Sequence, residues 1–146
     1  LRTDHTQIID KLTSRTWLDL DTGDPIYSVA FDDQGNVDGI SIFGMEQGKV
    51  SWVDSYELDP ASDYDGTVRL TQPEALSQTT GVRQSRTYLS LVTGDPIYSI
   101  NFKPDGATVD SISVFNMEAG RVGSVDSYTI KPQGELPVGF DPLLRT

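Results

Sequence analysis

The sequence predicts an all-β chain: an antiparallel eight-stranded barrel built from two tandem four-strand repeats, with a two-sheet β-sandwich as the alternative. Three observations carry that prediction. Residues 15–60 are nearly written twice: laid on residues 86–132, with one extra residue after Gly106, they give 27 identities in 46 aligned positions. Turn signals punctuate each copy at regular intervals. The runs between them are short and rich in Val, Ile, Tyr and Phe, as strands require. Four strands per copy make eight, a number that suits a closed barrel holding side chains or one small ligand. A β-propeller is excluded, because its blades repeat every roughly 40 to 45 residues.

Taken in order, residues 4–12 read as a short helix capped by Asp4, with Ile8, Ile9 and Leu12 as its apolar stripe. The first strand covers about residues 16–21 and ends at Thr22-Gly23-Asp24-Pro25, a string that recurs as Thr93-Gly94-Asp95-Pro96. Pro fixes its own φ and pushes the preceding Asp toward an extended conformation. The second strand covers residues 26–31. It closes in Asp32-Asp33-Gln34-Gly35, whose counterpart Lys103-Pro104-Asp105-Gly106 has proline and glycine where a type I turn and its left-handed exit want them. The third strand spans residues 37–45 and the fourth 49–58, with hairpin tips at Glu46-Gln47-Gly48 and Glu118-Ala119-Gly120. The bridge, residues 61–85, offers a strand at 66–70 and a helical turn at 73–76. Residues 133–146 read as an irregular C-terminal strap, and residues 1–146 as one domain.

Composition narrows the function. There is no cysteine, so thiolate nucleophiles, disulfides and Cys-based zinc sites are excluded. The lone histidine, His5, denies the chain a multi-histidine metal centre of its own. The net charge of −11 repels phosphate backbones and anionic lipid heads, which argues against nucleic-acid and membrane partners. No run reaches the roughly 18 apolar residues of a bilayer-crossing helix, and Leu1-Arg2-Thr3-Asp4-His5 has no signal-peptide pattern. The acidity is uneven: the first repeat has 10 acidic against 2 basic residues, the second 5 against 4. Asp19, Asp21, Asp32 and Asp33 become Ser90, Val92, Lys103 and Pro104, an exchange that reads as solvated surface.

The fourth strand carries the sharpest site signal. Alternation sets Val50, Trp52, Asp54, Tyr56 and Leu58 on one face, and the second copy repeats this with Val122, Ser124, Asp126, Tyr128 and Ile130. A carboxylate amid apolar residues costs several kcal/mol unless paired, hydrogen-bonded or protonated. Two readings compete. In one, Asp54 and Asp126 are buried partners of Arg15 and Arg86, which both repeats keep. In the other the apolar face lines a cavity, and Asp54 and Asp126, helped by Tyr27 and Tyr98, are its acid–base groups. Trp52, Tyr56, Tyr128, Phe31, Phe102 and Trp17 would then line the ligand site. The acidic turns at Asp24 with Asp95, and at Glu46 with Glu118, offer further equivalent positions, for sugar or calcium. Asp63-Tyr64-Asp65-Gly66 fails the calcium-loop pattern, since the twelfth position would be Gln72.

The stretch Ile8-Ile9-Asp10-Lys11-Leu12-Thr13-Ser14-Arg15-Thr16-Trp17 resembles a lipocalin start, in which a helical turn leads to a tryptophan-bearing first strand. Arg15 stands where that family has glycine, and the resemblance covers about ten residues. It implies a lipocalin- or calycin-like architecture with an internal apolar cavity. Three functions follow as expectations: a barrel binding a small apolar molecule, a cofactor-free cyclase or isomerase on the same barrel, and a bivalent lectin-like module that takes a glycan. Val53 and Val125, on the outer face, suggest a homodimer contact.

Overall fold

The computed structural model describes residues 11–130. Eight strands and one helix follow in order: β1 (Ser14–Leu18), β2 (Pro25–Phe31), β3 (Val37–Glu46), β4 (Lys49–Leu58), α1 (Gln72–Ser77), β5 (Thr79–Leu89), β6 (Pro96–Phe102), β7 (Val109–Glu118) and β8 (Arg121–Thr129). All eight strands form one sheet in sequence order, antiparallel throughout. The all-β reading and the four strands per repeat therefore hold. The expected ring closure does not appear among the described residues: β1 and β8 are the two edges of the sheet and do not pair. His5, the strap at 133–146 and most of the expected helix at 4–12 lie outside the described residues, and Lys11 and Leu12 are not helical.

Turn chemistry explains the hairpins. Gln47 and Gly48 hold φ of 55° and 77°, and Ala119 and Gly120 hold 52° and 80°. Two successive left-handed residues make the type I′ turn, whose twist matches that of the flanking strands. In the loop after β1, the Asp19 carboxylate accepts from Asp21 N and Thr22 N. In the loop after β5, the Ser90 hydroxyl accepts from Val92 N and Thr93 N. The exchange of Asp19 for Ser90 is thus not idle surface variation, because two different oxygens close the same turn.

The registers place one continuous row across the sheet: Trp17, Tyr27, Ile42, Asp54, Arg86, Ile100, Ile112 and Tyr128. This is the face that alternation assigned to the interior. In the second repeat Tyr98 and Ile112 are buried while every residue of β8 is exposed; over the first, Tyr27, Val29, Ile40, Ile42 and Ala75 form the core. The bridge provides the cover. Tyr64 and Leu70 pack on that core, and Tyr27 Oη lies 2.9 Å from Tyr64 Oη while accepting from Leu70 N at 3.0 Å. The bridge therefore occupies space that a barrel cavity would have used.

The strand expected at 66–70 is absent. Gly66 sits at φ +83°, and any side chain there would strike the Phe31 ring. Asp65 turns the chain by accepting from both Thr67 N and Thr67 Oγ1. The helical turn expected at 73–76 is α1. Thr71 and Glu74 form a reciprocal capping box and Pro73 stands in the first turn. Gln72 Nε2 then fastens this helix to the sheet by donating to Ile26 O and Phe43 O.

If the bridge is held through Tyr27, the Tyr27→Phe substitution strands the Leu70 amide and costs about 1–3 kcal/mol. Urea denaturation measures this, and a change below about 0.5 kcal/mol would mean that packing alone holds the bridge.

Candidate functional site

The two repeats meet where β4 pairs with β5, and the register sets Asp54 directly opposite Arg86. Asp54 is only 3% exposed. Arg86 grips it with two parallel bonds, Nε to Oδ1 at 2.6 Å and Nη2 to Oδ2 at 2.7 Å. Arg83 Nη1 stands 3.6 Å from Oδ2. Such a planar fork satisfies a carboxylate in both charge and geometry, and the bond to Asp54 pushes the Arg86 guanidinium above its ordinary pKa. Of the two readings of the buried carboxylate, the ion pair describes Asp54. Its partner is Arg86, with Arg83 added; Arg15 instead donates through Nη1 to Gly66 O at 3.0 Å.

The Arg86 guanidinium also lies over the Trp52 ring, 4.1 Å from its centroid. Trp52 is opposite Gly44 on β3, and its ring fills the space that a Gly44 side chain would take. The second repeat makes the reciprocal change. Gly44 becomes Asn116, Trp52 becomes Ser124, and Asn116 Nδ2 donates to Ser124 Oγ at 3.1 Å. The two substitutions form one contact.

Beside Trp52 opens a cleft of about 700 Å³. Its walls include Ile26, Phe43 and Trp52 on the apolar side, with Asp19, Asp24 and Gln72 at the polar edge. The backbone amides of Thr22 and Asp21 hold the Asp19 carboxyl below the usual carboxylate range, so the edge is anionic near neutral pH. Gln72, which the sequence did not single out, positions one wall of this cleft through its two carbonyl contacts.

The remaining candidates are dispersed. Tyr27 and Tyr98 are buried, and the Tyr98 ring lies 4.8 Å from that of Tyr88. Trp17 stacks on Tyr27 at 6.4 Å, with the Arg69 guanidinium 5.0 Å from its ring. Tyr56 is half-buried against the core, and burial raises the pKa of its phenol. Phe31 borders a cleft of about 430 Å³ with Arg15, and Phe102 one of about 440 Å³ under Arg83. Asp126 and Tyr128 are exposed on β8, over which none of the described residues packs, and Asn116 Nδ2 donates to Asp126 Oδ2 at 3.0 Å. Ser51, also missed, is fully buried because a register shift between Gly44 and Met45 interrupts the alternation of β4.

No family model, no curated protein and no solved structure matches this chain. Among the described residues no three acidic or histidine side chains cluster to hold a metal ion.

Replacing Asp54 by Asn leaves the half-buried Arg86 facing an uncharged partner and should cost about 2–3 kcal/mol of folding stability. Asp126→Asn, at an exposed position, should change it by less than about 0.5 kcal/mol. Parallel chemical denaturation of the two variants measures the contrast.

Proposed function

We propose that the chain is a binding module that takes a small molecule in the open cleft beside Trp52. The observation that carries this reading is the composition of that cleft. Trp52 lines the cleft together with Ile26 and Phe43, while acidic and amide residues border it. Such a surface suits a ligand with one apolar face and hydroxyl or amine groups along its edge. The cleft volume of about 700 Å³ is within the range of small-molecule sites. The ligand lies at the end of the sheet near the β1–β2 loop, rather than inside a closed barrel.

The cyclase or isomerase reading draws less support. Asp54, its strongest acid–base candidate, is engaged on both oxygens by Arg86. A bivalent lectin draws less too, because Ser124 stands where the second site would need an indole. A single glycan-binding cleft remains compatible with the walls described, since sugars present an apolar face to indole rings.

Nile red is a suitable neutral probe, since the protein itself is strongly acidic. Saturable binding at one dye per chain is expected, with affinity lost on Trp52→Ala. In a Trp17→Phe background the emission of Trp52 alone should change on titration, which reports the site without removing the indole. Absence of saturable binding to the folded protein, and an unmoved Trp52 emission, would sink the reading.

A further inference from the structure

The sheet leaves two edges unpaired among the described residues, β1 and β8. Every residue of β8 is exposed, with Val125 at 47% and Tyr128 at 40%. A long exposed edge with apolar side chains is a template for another strand. The molecule itself shows which strand fits. β8 is the repeat of β4, β1 is the repeat of β5, and β4 already pairs with β5 at the repeat junction.

We infer that β8 of one copy pairs antiparallel with β1 of a second copy, in the register of the β4–β5 junction, so that chains add head to tail. Transferring that register places Asp126 opposite Arg15, as Asp54 is opposite Arg86. Val125 then faces Thr16, and Ser124 faces Trp17. Tyr128 meets Leu12, which is itself 50% exposed. The chemistry agrees at each position. Arg15 uses Nη1 on Gly66 O, whereas its counterpart Arg86 holds Asp54 through Nε and Nη2. The junction within the chain sets Trp52 against Tyr88; between copies the small Ser124 leaves room for the larger Trp17. Two exposed apolar side chains, Leu12 and Tyr128, are covered together.

The same residue pairs would also form if β8 closed onto β1 of its own chain as a barrel. Among the described residues those strands do not pair and every residue of β8 is exposed, which favours a second copy. Because the contact joins two different surfaces, it is heterologous, and repetition yields a ring or a filament.

The full chain contains no cysteine, so an engineered pair reports without background. Thr16→Cys with Val125→Cys takes the register of Thr87 and Val53. Oxidation should give disulfides between chains, seen as a ladder on a non-reducing gel and assigned by peptide mass spectrometry. Sedimentation velocity of the cysteine-free protein should show mass rising with concentration. Asp126→Arg should weaken that association roughly tenfold to a hundredfold without altering circular dichroism. Adding Arg15→Asp to it should restore association. A disulfide confined within one chain would establish barrel closure and overturn the inference. A monomer at all concentrations that forms no disulfide would overturn it equally.

Discussion

The pairing of Asp54 with Arg86 is the interaction on which the rest of the arrangement depends, because it lies where the two repeats become one sheet. A carboxylate at 3% exposure is tolerable only with its charge matched and both oxygens bonded. Arg86 does both, and the strand register that puts the two residues opposite each other is thereby fixed. A slip of one residue would turn Asp54 to the other face and leave Arg86 without it. The same guanidinium packs over Trp52, and Trp52 in turn requires the bare Gly44 backbone opposite it. The cleft wall and the repeat junction are therefore a single structural unit.

Much of this was legible in the chain. Period-two alternation found the covered face, including Tyr27, Val29 and Asp54, because strands force successive side chains to opposite sides. Turn strings located the hairpins, since left-handed positions restrict residue choice. The duplication supplied the strand count. What stayed hidden has physical causes too. Ser51 is buried through a register shift, which breaks alternation without a sequence mark. The bridge lacks periodicity, so the roles of Tyr64, Leu70 and Gln72 emerge only once the sheet is in place. The expected barrel closure rests on strand number and on a ten-residue likeness at the chain's start, and neither specifies whether the edges meet. Asp19 and Ser90 show the opposite difficulty: residues of unlike charge can serve one turn, so divergence between repeats is an uncertain guide to idle surface.

The two halves are alike in backbone and unlike in cover. Over the first repeat the bridge supplies Tyr64, Leu70 and Ala75 to a packed core, while β8 of the second remains exposed. The paired exchange of Gly44 and Trp52 for Asn116 and Ser124 follows the same division. One half thus holds an aromatic cleft, and the other the polar pair Asn116 and Ser124 at the corresponding place. A duplicated chain can in this way keep one set of strands for cohesion while its copies take up different tasks.

The most direct measurement of the central claim is a double-mutant cycle on Asp54 and Arg86. Stability would be determined by urea denaturation for the wild type, Asp54→Asn, Arg86→Met and the double variant. If the ion pair fixes the repeat junction, the two losses are strongly non-additive, with a coupling of about 2–3 kcal/mol. Additive losses, within about 0.5 kcal/mol, would show that the two residues act separately and that the junction rests on backbone pairing alone.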